Sequence, residues 1–201
     1  IFNNGYVFED RMNVEKNYQG EGKMWTATTG RTNAWETNFV PDIETFTTYQ
    51  WKERGAGGAH MKFELADQTQ TAHISEFPVG TYKKAHRHGP GAHLLILSGD
   101  AGYSTLWTKD DRSDLRKADW KVGGMVIVPG DDMFHQHFNT GNTRARYLAI
   151  YNGTMGLYKP RANRGWLADK SVKEGGWQIE YEDEARENHA TFEADLAAYG
   201  A

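Results

Sequence analysis

From about residue 43 to residue 151 the chain alternates apolar and polar positions with a period near two, in short runs closed by Gly, Pro or Asp. The runs are 45–51 (TFTTYQW), 59–65 (AHMKFEL), 70–78 (QTAHISEFP), 93–98 (HLLILS), 102–107 (GYSTLW), 125–129 (MVIVP), 133–138 (MFHQHF) and 145–151 (ARYLAIY). Many short strands at this spacing, with no helical segment between them, predict an all-β sandwich or barrel. The charged stretch from Thr108 to Trp120 carries both signs and reads as a solvated hairpin loop. After residue 152 the alternation stops. Residues 152–180 read as loop, and 181–199 as an amphipathic helix with Ala185, His189, Phe192, Leu196 and Tyr199 on one stripe and Gly200 as its stop. That stripe predicts packing on the barrel or on a partner chain, with His189 a packed residue. Residues 1–40 are polar and aromatic without a clear period and read as an irregular arm with one short helix. The expected organisation is an arm (1–40), a β-barrel (41–152) and a C-terminal loop and helix (153–201).

Composition narrows the partners more than the fold. The 201 residues suffice for one domain with a sizeable core. A net charge of −4 with 25% charged residues gives no reason to expect nucleic-acid binding. No stretch approaches the roughly 18–20 apolar residues that span a bilayer. With no cysteine, disulfides are absent and a metal must be held by nitrogen and oxygen. That absence fits a reducing, cytoplasmic setting, while Ile at position 1 leaves a removed leader open.

Five of the eight histidines fall in two short segments: His86, His88 and His93 between Gly80 and Gly99, and His135 and His137 between Gly123 and Asn139. In a strand, residues i and i+2 share a face. His86 and His88 are therefore expected to project into one space, and His135 and His137 to do the same from a second strand. Neutral imidazoles suit Fe, Mn, Cu, Zn or Ni, and leave the ion its full charge and open positions.

These two segments resemble the signature motifs of the cupin superfamily. Gly80, His86, His88 and Gly99 match the first motif, and Gly123, Pro129, His135 and Asn139 the second. The first motif's Glu is missing: Ala92 or His93 takes its place, depending on the register. Gly130 sits one place early, and one extra residue precedes His135. With Ala in the Glu position, the wording resembles ring-cleaving dioxygenases of the gentisate and salicylate type. The resemblance implies a double-stranded β-helix (jelly-roll) barrel and a homodimer or higher oligomer. It also implies one divalent metal, Fe(II) favoured, on His86, His88 and His135. His93 is either a fourth ligand or a structural residue, and His137 is expected to contact substrate or act as acid/base.

Lys84 and Tyr82 share the parity of His86 in a regular strand. Lys84 then either binds a substrate carboxylate or enolate oxygen beside the metal, or lies at the rim with its amine in water. Trp107, Tyr103, Tyr147, Tyr151 and Met133 are candidate cavity walls, with ordinary core packing as the plainer role. The function expected from the resemblance is a non-haem Fe(II) dioxygenase acting with O₂ on an aromatic acid or diketone-like substrate. The alternatives are an O₂-independent decarboxylase, lyase or isomerase on the same metal, and a binding module without catalysis. Dependence of turnover on O₂ separates the first two.

Overall fold

The computed structural model describes residues 18, 20–26, 33–65, 70–88, 91–130, 133–152 and 165–200. Among the described residues, twelve strands form two sheets. The larger contains β1 (Lys23–Thr26), β2 (Asn33–Thr37), β3 (Tyr49–Gln50), β4 (Ala59–Leu65), β5 (Gln70–Phe77), β7 (Ala92–Ser98), β10 (Met125–Val128) and β12 (Ala145–Asn152). Its order is β1-β2-β4-β5-β12-β7-β10, with β3 beside β4. The smaller sheet contains β6 (Thr81–Tyr82), β8 (Tyr103–Trp107), β9 (Arg116–Asp119) and β11 (Phe134–Asn139), in the order β6-β11-β8-β9. Every pairing is antiparallel except β2 with β4. Among the described residues one α-helix, α1 (Arg186–Tyr199), follows the strands.

Alternation decides which side chains enter the space between the sheets. On β7 Ala92, Leu94 and Ile96 are buried, on β10 Val126 and Val128, and on β12 Tyr147, Ala149 and Tyr151; with Phe77 and Leu106 they form one core cluster. The neighbouring strands place polar residues on the same inward parity. Lys62 pairs with His73 and His60 with Ser75, while Met61, Phe63, Ala72 and Ile74 face outward into a second cluster covered by Trp35, Val40, Ile43 and Phe46. The interior thus has an apolar end and a polar end. The smaller sheet is covered on its outer side by α1, through Phe192 and Leu196 on Tyr103, Phe138 and Tyr82.

Several expectations change. Within the expected arm, residues 1–17 lie outside the described residues, but 23–26 and 33–37 are strands that extend the larger sheet. The run 45–51 contributes only the two residues of β3. The charged stretch is a turn clasped by Asp114 and followed by the exposed edge strand β9. The helix starts at Arg186, after a 3-10 turn over Tyr181–Asp183. Its buried face carries Asn188 and Phe192, whereas His189 is exposed and pairs with Glu193 one turn on.

The motif glycines Gly80, Gly99 and Gly123 have φ of +62°, +117° and +80°. This is backbone that residues with a side chain rarely adopt, so a substitution at these positions would be strained.

Candidate metal centre

β11 supplies His135 and His137, fixed by pairing with Leu106 and Ser104 of β8. Their even spacing sends both rings inward, while Phe134, Gln136 and Phe138 face the covered outer side. His86 reaches the same place from the other flank, through paired backbone bonds with His135 (3.0 and 2.8 Å). The ligand nitrogens of His86, His135 and His137 lie within 4.8 Å of one another, and all three residues are buried. Their ring centroids stand 4.2 Å (His86–His135), 5.3 Å (His135–His137) and 6.0 Å (His86–His137) apart.

A second layer of bonds orients each ring. Nδ1 of His86 meets the carbonyl of Lys84 at 3.0 Å, and Nδ1 of His135 meets that of Met133 at 3.3 Å. A carbonyl can only accept, so each Nδ1 carries the proton and Nε2 keeps the lone pair. Nδ1 of His137 bonds Ser104 Oγ at 2.8 Å, and that hydroxyl is itself fixed by a hydrogen bond from Trp120 Nε1. Burial pushes all three imidazoles well below the ordinary histidine pKa. The next cause is the Arg54 charge for His86, His88 for His135 and Lys83 for His137. They are neutral near pH 7, the form that binds a cation. The donor set fits a divalent transition metal.

His88 stands beside the three, its ring 4.8 Å from His135 and 5.5 Å from Tyr151. Its Nδ1 is buried without a partner among the described residues. Burial lowers its pKa to about 4.

His93 lies elsewhere. Ala92 and Leu94 turn inward on β7, so His93 is exposed on the opposite face, across from Ile127. The inward position in this register belongs to Ala92, and His93 is not placed to be a ligand.

The strand before His86 also departs from the expected parity. Tyr82 faces Phe138, yet His86 faces His135. Four steps on one strand match three on the other, so one extra residue forms a bulge and flips the faces between them. Lys83, not Lys84, enters the interior. Lys83 is 1% exposed, and its amine donates to Ser75 Oγ at 2.6 Å and lies 4.2 Å from the Phe77 ring centre. Burial drives its pKa well below the ordinary lysine value. Lys84 turns outward to an ion pair with Glu180.

A cavity of about 40 Å³ opens beside the histidines, lined by His86, His88 and His137 and by Trp51, Arg54, Lys62, His73, Ser75, Lys83, Tyr147 and Tyr151, among others. Burial pushes the Tyr147 phenol up to about 12, so both it and Tyr151 are protonated donors.

Tyr82, Trp107 and Met133 do not line the cavity. Tyr82 stacks on Phe138 and meets Phe192 edge-on, on the outer side, and donates to Glu184. Trp107, opposite Phe134, stacks on that ring on the same outer side, where Tyr103 also packs. Met133 packs against the edge of the apolar core and orients His135 through its carbonyl.

Sequence reasoning missed Trp51, Arg54, Lys62, His73, Ser75 and Lys83. For Lys62, His73 and Ser75 the signal was present, because the alternation in 59–65 and 70–77 puts them opposite an apolar face. Arg54 enters from a 3-10 turn (Lys52–Arg54) held against residues 168–169, a contact across more than 110 residues that no local pattern announces.

No protein-family model and no curated protein matches the sequence. Among solved structures, the chain is similar to an oxalate decarboxylase of Lactobacillus farciminis in complex with formate, at 17% identity over 68% of this chain and 40% of that one, with a TM-score of 0.47. It is also similar to a recombinant oxalate oxidase in complex with glycolate (18%, 56% of this chain and 61% of that one, TM-score 0.42). A third likeness is to a cupin-2 domain protein of Rhodospirillum rubrum (16%, 53% and 68%, TM-score 0.44). The chain spans less than two thirds of the length of either oxalate enzyme. Among the described residues no helix is long and apolar enough to cross a membrane. Two sheets, antiparallel except for β2 with β4, bring His86 and His88 of the first histidine segment and His135 and His137 of the second together between them, an all-β arrangement of the kind the resemblance implied.

Proposed function

We propose that the chain is a metal-dependent enzyme that binds one divalent transition metal, Fe(II) in the favoured reading, through Nε2 of His86, His135 and His137. The observation that carries this reading is the pre-orientation of the rings. Three buried neutral imidazoles have Nδ1 engaged by a carbonyl or a hydroxyl, and their ligand atoms converge within 4.8 Å. Holding such a constellation without an ion costs desolvation that packing alone would not select.

When bound, a divalent ion on neutral donors supplies Lewis acidity and open positions for substrate oxygens and O₂. The chain's own residues supply the rest. His88 lines the cavity next to the three rings, with its Nδ1 unpartnered, and is the group placed to complete the set or to contact substrate. Tyr147 and Tyr151 present buried phenols to the cavity, and Leu94 adds an apolar side chain to its lining. The proposed reaction is oxidation of a small oxygenated organic compound by O₂.

An O₂-independent decarboxylase or lyase is the second reading, favoured by Lys83, a buried amine able to move a proton beside the cavity. The test is anaerobic loading with Fe(II), then oxygen-electrode screening of small hydroxy- and keto-acids, with His135→Ala as control. Substrate-dependent O₂ uptake, lost in the variant, supports the dioxygenase reading. Turnover that proceeds equally without O₂ replaces it with the second.

A further inference from the structure

Of the three rings, His86 and His135 are held at Nδ1 by carbonyls, and His137 by a hydroxyl, which can both give and take a hydrogen bond. Ser104 lies directly opposite His137 in the β8–β11 register, and its Oγ stands 2.8 Å from His137 Nδ1. Both residues are fully buried. Trp120 Nε1 donates to the same oxygen at 2.9 Å. That indole is itself fixed. Its backbone N–H donates to the Gly102 carbonyl at 2.8 Å, and a Cβ at Gly102 would fall 2.5 Å from the ring, so the missing side chain lets Trp120 lie over the strand. Phe77, Trp120 and Tyr147 wall the His137 ring at centroid distances of 6.4, 6.3 and 5.1 Å. This packing keeps Nδ1 turned to Ser104.

A serine hydroxyl brings one hydrogen and two lone pairs, and an indole N–H can only donate. Among the described residues Ser104 Oγ has no third partner, so His137 Nδ1 is the one acceptor for its hydrogen. The opposite arrangement, Nδ1–H to Oγ, would bury the hydroxyl hydrogen unpaired, which disfavours it roughly five- to hundredfold. The centre adds a second reason. Nε2 of His86 and of His135 carry lone pairs, because their Nδ1–H groups donate to carbonyls, and the ligand atoms of all three rings lie within 4.8 Å. Three lone pairs turned on one point repel, whereas two lone pairs and one N–H attract.

We infer that Ser104 is a positioning residue: it holds His137 as the Nε2–H tautomer in the metal-free chain, and the pair turns round when the centre is loaded. For Nε2 to bind an ion, its proton goes to solvent and Nδ1 takes one from solvent. Nδ1–H then donates to Ser104 Oγ, which accepts from both His137 and Trp120. The ring is neutral before and after, so no group changes charge. The first half concerns the metal-free chain alone, and the second rests on the metal-enzyme reading.

The test is long-range ¹H–¹⁵N NMR of the full chain labelled with ¹⁵N-histidine, at pH 7.5, first metal-free and then with Zn(II). The His137 signals are identified by their loss in His137→Gln. In the metal-free chain the His137 proton is expected on Nε2, in roughly fivefold excess or more, and those of His86 and His135 on Nδ1. With Zn(II) bound, the His137 proton is expected on Nδ1. Ser104→Ala, with circular dichroism matching the unmodified chain, is expected to move the His137 Nε2 resonance toward its unprotonated position. If that variant fails to fold, the unmodified chain still decides. A metal-free His137 with its proton on Nδ1, or an Nε2 resonance unmoved in folded Ser104→Ala, would overturn the role of Ser104. Zn(II) bound with the Nε2 proton still in place would overturn the turning round. An Nε2–H form in a chain that takes up no Zn(II) keeps Ser104's role and loses the metal reading; Zn(II) uptake by a chain whose His137 is Nδ1–H from the start does the reverse.

Discussion

Asn139 ends β11, and its replacement is the most informative perturbation of the fold. The side chain is fully buried. Its Nδ2 faces the carbonyls of Phe77 (3.3 Å), Pro78 (2.9 Å) and Thr143 (2.9 Å), and its Oδ1 accepts from the backbone N–H of Gly141 at 3.2 Å. One amide therefore ties the end of β5, the end of β11 and the turn into β12. Two N–H bonds are shared among three acceptors, which makes three effective bonds with the one to Gly141. Each is worth about 0.5–1.5 kcal/mol net, and a buried partner left unsatisfied costs about 1–3 kcal/mol. Pro78 keeps a bond from Thr81, which lightens the loss there. Asn139→Ala is expected to cost about 3–4 kcal/mol, a large part of the roughly 5–15 kcal/mol of a typical domain. Asn139→Asp should be worse, because it turns a carboxylate oxygen toward three carbonyls. The assay is urea unfolding followed by tryptophan fluorescence, with the exposed Asn142→Ala as a control expected within about 0.5 kcal/mol of the unmodified chain. If Asn139→Ala matched that control, or Asn139→Asp were the milder change, the role assigned to this amide would be wrong.

Stability of the metal-free chain should fall in acid. His60, His73, His86, His135 and His137 are held below the ordinary value near 6.5, chiefly by burial, so the unfolded chain takes up protons that the folded chain refuses. Stability is then level above pH 7 and drops as pH falls through 6.5, by up to about 1.4 kcal/mol per pH unit for each histidine. Urea midpoints measured from pH 7.5 to 5 check it, and a flat profile contradicts it. Gly99→Ala should destabilise by about 1–3 kcal/mol, because φ is +117° and the new Cβ would lie 2.8 Å from that of Ala145; thermal melting reads this directly. Lys84→Met, at a mostly buried ion pair with Glu180, should leave metal content unchanged and cost roughly 1–3 kcal/mol, measured by urea unfolding.

The strands were legible where the period of two was long and apolar on one face. The runs 59–65, 70–78 and 145–151 are β4, β5 and β12 to within a residue. Strands β1 and β2 were not, because four or five residues carry too little pattern, and Trp35 finds its apolar partners only in the folded sheet. Paired histidines at i, i+2 announced the centre, since two such pairs need only regular strands to converge. Which histidines cluster was harder to read. His137 comes together with His86 and His135 because a single strand can aim two rings at one point, whereas the register of β7 turns His93 to the opposite face. The exchange of Lys84 for Lys83 turns on one bulge residue between Tyr82 and His86, and no periodicity argument can see an insertion of one. Arg54 depends on packing between segments far apart in the chain, as Trp51 does.

The central claim is that His86, His135 and His137 converge on one metal while His93 does not take part. The direct measurement is elemental analysis of anaerobically purified unmodified chain, His137→Ala and His93→Ala, each reloaded with Fe(II) and desalted. The expected result is close to one metal per chain in the unmodified protein and in His93→Ala, and a loss of at least tenfold in His137→Ala. Metal retained by His137→Ala and lost from His93→Ala would contradict the assignment.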